Sequence, residues 1–169
     1  MNHPITTPPT ISLTEAEFIL IWKRLLANIP AISESKMQPL TQWLRLGGRD
    51  IDLADAVRMR LSVEQQVLHW FGNYDLWISP TIASTTPRHG TVYSSTPEQT
   101  FRNILGMGAY TAPFNVSGHP AISLPVGFEP SRAGIGVQIA GRVGADALVL
   151  RAGKLVEDAL GGFWPPKVA

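Results

Sequence analysis

A serine and a histidine come close together at one point in the sequence, where Ser117 and His119 are separated by a single glycine. A serine hydroxyl beside an imidazole base can act as a nucleophile. Catalytic triads are recognised by three-dimensional geometry, however, and two residues this close along the chain do not define one. Independent chemistry from this pair, or from His89 with a nearby serine, is therefore the weakest functional hypothesis that the sequence offers.

The other residues capable of chemistry are scattered, and each has an ordinary structural explanation. Glu15 and Glu17 lie in the first turn of a predicted helix, where carboxylates interact favourably with the helix dipole. His69 has no second ligand at metal spacing, so we expect it in the core or in an interface. Arg88 and His89 could bind an anion, but a solvated loop tip explains them better. We expect neither a metal ion nor a cofactor.

The composition describes a globular chain of 169 residues, which is long enough for a core of its own. Its formal net charge of +1 gives no reason to expect a nucleic acid as a partner. The chain has no cysteine, which excludes disulfides and thiolate chemistry. The first 12 residues do not resemble a secretory signal, and the apolar run from Phe18 to Trp22 is too short to span a membrane. We therefore expect a cytoplasmic protein without a membrane partner.

The positions of apolar residues predict several helices and one early strand. The segments with helical spacing are residues 14–29, 33–46, 53–71, 97–107 and 144–160. Thr14 and Glu17 form a capping box, Asp52 caps the third helix, and Pro39 is expected to interrupt the second. Residues 74–79 are rich in aromatic and β-branched side chains and predict a strand, which a long loop follows.

Two apolar runs near the C-terminal end predict strands that are buried on both faces, Ala121 to Val126 and Gly134 to Gly141. Pro125 cannot donate to a neighbouring strand, so pairing must lapse at its end. Gln138 is the one polar side chain of the second run and needs hydrogen-bond partners if it is buried. Residues 115–118, which precede the first run, have the composition of a turn.

These runs belong to a longer stretch that resembles the C-terminal segment of the amidase signature family. That family carries a T-x-P-[FY]-N-x-x-G-x-P-[AS]-[IL]-[ST]-x-P block, then a G-x-G-x-Q-[IL]-x-G-R strand and a helix. This sequence has TAPFNVSGHPAISLP from Thr111 and GIGVQIAGR from Gly134. YDLWISPT from Tyr74 is similar to the family's earlier Y-D-x-x-x-x-P-T strand end. The resemblance is strong over residues 111–151, fair over 52–110 and absent or unreadable over 1–50.

The resemblance implies an α/β fold that is a C-terminal fragment of an amidase-signature-type fold. We expect a few-stranded mixed sheet with helices packed around it over residues 13–169, preceded by a flexible tail over residues 1–12. The number of predicted strands also indicates an incomplete fold, independently of the resemblance to the family. Strands that are apolar on both faces need neighbours on both edges, whereas three strands leave two edges uncovered.

The residues that catalyse the family's reaction are not found in this sequence. Family members resemble one another in a Ser-Ser-Lys arrangement whose serines lie in a Gly/Ser-rich segment. Ser94 and Ser95 are instead flanked by tyrosine and threonine, and the four lysines lie in helix-like or tail segments. We therefore assign no catalytic residue. The resemblance implies hydrolysis of a carboxamide C–N bond by full-length members and inactivity of this chain alone.

Two classes of function remain open. In the first, a catalytic segment on a second protein chain completes an amidase for a small-molecule amide. Thr111, Phe114 and Asn115 would then line the substrate pocket, because loops that lead into central strands carry binding residues. An equally good explanation of Asn115 is that it ties down a turn. In the second class, the chain is a non-catalytic remnant, or a subunit that binds a partner chain or a second copy of itself.

Overall fold

The computed structural model describes residues 15–27, 36–128 and 134–161. The predicted tail over residues 1–12, the cap at Thr14 and the start of the second predicted helix lie outside these ranges. The elements, in chain order, are α1 (Glu15–Ala27), α2 (Pro39–Gly47), α3 (Leu53–Phe71), β1 (Leu76–Pro80), α4 (Pro97–Met107), α5 (Ala112–Ser117), β2 (Ala121–Phe128), β3 (Gly134–Gly141) and α6 (Asp146–Ala159). None of the helices in these ranges has the length and apolarity needed to cross a membrane.

Local sequence signals fix several helix ends. The Asp52 carboxylate accepts a hydrogen bond from the Ala54 amide at 2.8 Å, which confirms the predicted cap of α3. Pro39 is the first residue of α2 and does not interrupt it, because a proline at this position has no intrahelical bond to lose. Between β1 and α4, residues 81–96 contain no helix or strand, which agrees with the long loop predicted after β1.

The segment with the composition of a turn is instead the short helix α5. Pro113 lies in its first turn, where its fixed φ suits a helix. Gly118 ends the helix with φ 74°, a left-handed conformation that glycine adopts without strain. The turn-forming residues of this segment therefore begin and end a helix, and Asn115 lies within that helix.

The described strands form a three-stranded sheet in the order β1-β3-β2, with β3 in the centre. Both pairings are antiparallel, with Ile78 and Ile122 on either side of Ile139. The expected α/β class is confirmed, but the strands do not form a mixed sheet. Only residues 129–133 separate β2 from β3, and a parallel pairing would need a crossover of a dozen residues or more.

Helices cover both faces of the sheet, but only in part. Helix α6 packs on one face, where Gly153 brings its backbone close to Ile122 and Leu124. Helices α3 and α5 pack on the other face, against Trp77 and Ala140. Alternate residues of β2 are exposed, so the prediction that this strand is buried on both faces is wrong for the described chain. Ile78 on β1 is also 66% exposed.

The hydrophobic core is helical and reaches the sheet at one end. One cluster joins α1, α3, α5 and β3, and its buried members are Phe18, Ile21, Val63, Val67, Phe71, Phe114, Val116 and Ala140. A second cluster joins α1, α2 and α4 through Ile19, Leu44 and Phe101. Trp22 and Leu105 pack against both clusters and connect them. At the end of α2, Gly48 lies directly against the backbone of Lys23 in α1.

Candidate functional site

Helix α5 carries the three residues that the sequence proposes for a pocket wall. Thr111 precedes the helix and donates its hydroxyl to the Gly108 carbonyl at 3.1 Å. The Phe114 side chain is only 3% exposed and meets the Trp77 ring edge-on, with the centroids 5.4 Å apart. Asn115 is exposed. Phe114 therefore holds α5 against the sheet, while Thr111 and Asn115 lie nearer to solvent.

The Asn115 amide is not held by other parts of the described chain. Within the ranges that the structure describes, its side chain makes no hydrogen bond. It therefore does not tie down the chain in the manner of an Asx turn. The placement of Thr111, Phe114 and Asn115 in the wall of a substrate pocket stays a prediction, since an occupied pocket is needed to test it.

A row of polar side chains crosses the sheet on the face that α5 partly covers. Ser79, Gln138 and Ser123 are directly opposite one another on β1, β3 and β2, and directly opposed residues share a face of a sheet. The buried Gln138 amide donates to the Ser79 hydroxyl at 3.2 Å and to the Tyr110 carbonyl at 3.0 Å. The expectation that Gln138 requires partners is confirmed, and its amide ties the sheet to the segment before α5.

The open end of this row carries a pair of hydroxyl groups. The Thr81 and Ser123 oxygens are 2.7 Å apart and exposed. Gly136 lies beside them, and a β-carbon there would be 2.8 Å from the Thr81 hydroxyl oxygen and 3.3 Å from that of Ser123. No local pattern in the sequence predicts this pair, because 42 residues separate its members and the strand register alone brings them together.

The structure brings Ser117 and His119 into contact. The Ser117 hydroxyl and His119 Nδ1 are 2.7 Å apart, and both side chains are buried. The imidazole stacks on Phe71 with a centroid distance of 5.4 Å, and its Nε2 is buried without a hydrogen-bond partner. The pair has the spacing of a nucleophile and its base, but its burial denies a substrate access to the hydroxyl.

Burial also sets the charge of this histidine. Loss of solvation lowers the pKa of His119, and the nearby Glu64 carboxylate and a hydrogen bond to the backbone of Ser117 oppose this effect only in part. The ring is therefore held neutral at neutral pH. A neutral imidazole that stacks on Phe71 and meets the Phe114 ring edge-on is explained as part of the core.

The remaining candidates do not form a site. His69 is exposed on α3, so a core position for it is wrong. Arg88 and His89 are exposed in the loop after β1, as a solvated loop tip predicts. Over residues 15–27, 36–128 and 134–161, no three metal-ligating side chains come together. The described chain thus presents an α/β fold with a candidate binding surface, and the serine–histidine pair within it is buried.

Comparisons with known proteins agree with this description. The Amidase family model matches residues 21–150. A candidate amidase of Synechocystis sp. is 32% identical over 151 residues, which are 88% of this chain and 29% of that protein. The structure of 6-aminohexanoate cyclic dimer hydrolase gives a TM-score of 0.75 at 24% identity and covers 95% of this chain and 38% of that one. A glutamyl-tRNA(Gln) amidotransferase subunit of Thermotoga maritima gives a TM-score of 0.61 at 28% identity, over 76% and 28% of the two chains.

The chain belongs to the amidase family. The resemblance carried by the block from Thr111 and by the strand from Gly134 is therefore confirmed. The chain spans about a third of the length of the relatives that it matches. This partial coverage fits the expectation that the 169 residues represent one portion of an amidase fold and lack its catalytic segment.

Proposed function

We propose that this chain forms the C-terminal part of an amidase that hydrolyses the C–N bond of a small-molecule carboxamide. The observation that supports the proposal is the match of the Amidase family model to residues 21–150. The chain spans only about a third of the length of its relatives, so the rest of the fold must be supplied separately. Amide hydrolysis requires an activated hydroxyl, a base and donors for the oxyanion. In this proposal a separate stretch of polypeptide supplies the catalytic serines and lysine.

The contribution of this chain is the wall against which the substrate is held. The exposed Asn115 amide, with no hydrogen bond in the described chain, can donate to or accept from a substrate amide group. Thr111 adds a second polar group at the start of the same helix, and Phe114 fixes that helix from behind by packing on Trp77. A site of this kind needs such positioning because a small displacement of the substrate strongly slows the reaction.

A second protein chain is the simplest source of the catalytic segment. One structural neighbour, the glutamyl-tRNA(Gln) amidotransferase protein of Thermotoga maritima, is by name one subunit of its enzyme. The incompletely covered sheet described above also leaves room for additional strands. The proposal assumes a cytoplasmic protein and requires no cofactor, metal ion, nucleic acid or membrane.

Native mass spectrometry of the chain isolated from its own source tests the proposal. We expect a heteromeric mass, with a second chain that carries a Gly/Ser-rich segment and a lysine. The isolated complex should hydrolyse simple amides, and the purified 169 residues should not. A first substrate to test is 6-aminohexanoate cyclic dimer, named in a relative that is 39% identical over 98 residues. Titratable hydrolysis by these 169 residues alone would contradict the proposal.

A non-catalytic remnant is the second candidate. It is favoured by the burial of the Ser117–His119 pair, the one serine–histidine contact among the described side chains. A remnant would be isolated without a catalytic partner and would show no turnover in any preparation. The same mass measurement therefore separates the two candidates, since only the split amidase gives a heteromer with activity.

A further inference from the structure

A shallow and mostly apolar pocket lies between helix α6 and strand β2. Its volume is about 40 Å³, and it is lined by Leu124, Pro125, Val156, Glu157 and Leu160. The first two of these residues belong to β2, and the others belong to the last turn of α6 and to the residue that caps it. We call this depression the α6 pocket.

The backbone at the end of α6 turns back toward the α6 pocket. Gly161 has φ 73°, a left-handed conformation, and its amide donates to the Asp158 carbonyl at 3.1 Å. In a helix ending of this kind, the next residue folds back and its amide bonds to the carbonyl three residues before the cap, which here is that of Glu157. Glu157 lines the pocket, so the chain after Gly161 is directed toward the pocket and not away from it.

Residues 162–169 lie outside the described ranges, and their sequence, GFWPPKVA, suits the α6 pocket. Trp164 is three residues beyond Gly161, so an extended chain can carry it about 10 Å from that glycine. The helical part of the pocket begins at Leu160 and reaches back by one turn, a rise of about 5.4 Å. The segment is therefore long enough to place an aromatic side chain in the pocket.

Two features select Trp164 over Phe163 as that side chain. Consecutive side chains of an extended chain point in opposite directions, so only one of the two can enter. Pro165 favours an extended backbone at Trp164, and Pro165 and Pro166 together reduce the entropy that is lost when the segment docks. An apolar cavity of about 150 Å³ takes a whole benzene ring, so the smaller α6 pocket takes one edge of the indole.

The charge beside the pocket also fits this segment. Lys154 lies 3.6 Å from the Glu157 carboxylate and 2.6 Å from that of Asp158, so these three residues together carry one net negative charge. Lys167 has the one charged side chain of residues 162–169, and its sign is opposite. Complementary charges at a rim of this kind orient a segment more than they hold it in place.

We propose that residues 162–166 fold back over the end of α6 and seat Trp164 in the α6 pocket, which joins α6 to β2. The occupant belongs to the same chain, so its effective concentration at the pocket is high and docking needs no second molecule. This intramolecular docking does not depend on the proposed amidase function.

Methyl nuclear magnetic resonance of the purified chain tests the docking. We expect the Leu124 and Val156 methyl resonances to shift in Trp164→Ala, because these methyl groups lose the ring current of the indole. Phe163→Ala is the matched control, since it removes an aromatic side chain from the adjacent position and should leave both resonances in place. Unmoved resonances in Trp164→Ala, or a shift in Phe163→Ala alone, would overturn the proposal.

A second readout uses the indole itself and does not require Trp164 to be replaced. Leu124→Ala changes the pocket from the side of β2 and should shift the Trp164 indole resonance. Leu150→Ala should not, because Leu150 is 61% exposed on α6 and lies outside the pocket lining. Circular dichroism establishes that each variant folds, and an indole resonance that Leu124→Ala leaves unmoved would overturn the proposal.

The protein concentration distinguishes this docking from the exchange of segments between two copies. A segment docked on its own chain gives the same Leu124 and Val156 methyl resonances at every concentration. Resonances that reach their docked positions only as the concentration rises would assign the pocket to a segment of a second copy, and this result would also overturn the proposal.

Discussion

At the scale of single residues, a substitution of Asn115 can distinguish a binding role from a structural one. It is exposed and makes no hydrogen bond within the described residues, so little folding energy depends on its amide. Exposed substitutions of this kind change the free energy of unfolding by about 0.5 kcal/mol or less. In an active complex, we therefore expect Asn115→Ala to reduce turnover and leave the melting temperature unchanged. Steady-state kinetics and thermal unfolding on the same preparation check this. Unchanged turnover would remove Asn115 from the pocket wall, and loss of folding alone would assign it a structural role.

His119 makes stability depend on pH. Burial lowers its pKa below the ordinary value of 6.5 that it regains on unfolding, so the unfolded chain binds the proton more tightly. The stabilisation that results from this difference in pKa is fully present at pH values above the ordinary pKa. It is lost as the pH falls below that value. Glu64 is the charged group that opposes the shift, and it does so incompletely.

The free energy of unfolding should therefore fall between about pH 7.5 and pH 5.5, a range centred on the ordinary histidine pKa. His119→Gln should weaken this dependence, because glutamine does not titrate. His89→Gln is the control, since His89 is exposed in the loop after β1. Urea unfolding at the two pH values provides the measurement. An equal pH dependence in wild type and His119→Gln would show that protonation of this histidine is not resisted by the fold.

At the scale of elements, Gly48 lets α1 and α2 approach each other. A β-carbon at this position would overlap the Lys23 carbonyl, and backbone atoms cannot move aside as a flexible side chain can. Overpacking of this kind typically costs about 1–3 kcal/mol, and we expect Gly48→Ala to cost at least that much.

Gly106→Ala is the matched control for this change. Gly106 lies in α4, and nothing stands within 4 Å of the position that its β-carbon would occupy. Alanine favours a helix over glycine by about 1 kcal/mol, so this variant should be slightly stabilised. Denaturant unfolding of both variants distinguishes them. Equal stabilities would mean that α1 and α2 are not in contact at Gly48.

Gly136 has a comparable role between the strands. A β-carbon there would displace the Thr81 hydroxyl and break its contact with Ser123. A hydrogen bond of this type contributes about 1 kcal/mol, and an exposed one contributes less. We expect Gly136→Ala to lower stability by about that amount, whereas Gly134→Ala, with open space around it, should be neutral. Thermal unfolding of the two variants is the measurement, and equal melting temperatures would contradict the contact.

The sequence predicts those elements whose signals are local. The α3 helix follows from apolar spacing and its Asp52 cap, and the partners of Gln138 follow from the cost of burying an amide. Helix α5 was missed because six residues are too few to show a period and its proline and glycine also suit a turn. The Thr81–Ser123 pair and the exposed side of β2 depend on strand register and on what packs above the sheet. Neither is encoded in the spacing of nearby residues.

At the scale of the whole molecule, the two hydrophobic clusters should unfold together. Trp22 and Leu105 pack against both, so neither cluster can be lost without exposing side chains that stabilise the other. Cooperative unfolding is also usual for domains of this size. We expect tryptophan fluorescence and far-ultraviolet circular dichroism to give the same urea midpoint. Two separate midpoints would show that the two clusters do not unfold as one unit.

Both outer strands of the sheet carry a proline at the same end. Pro80 of β1 stands opposite Val137, and Pro125 of β2 stands opposite Gly136. Proline has no amide hydrogen, so a strand arriving from either side finds no donor at these positions. The proline leaves Leu76–Ser79 of β1 to pair with an added strand, and on β2 it separates Ala121–Leu124 from the short stretch Val126–Phe128. Such stretches are too short to template an indefinite ladder, and this protects the chain against amyloid-like polymerisation even though its sheet is open on both sides.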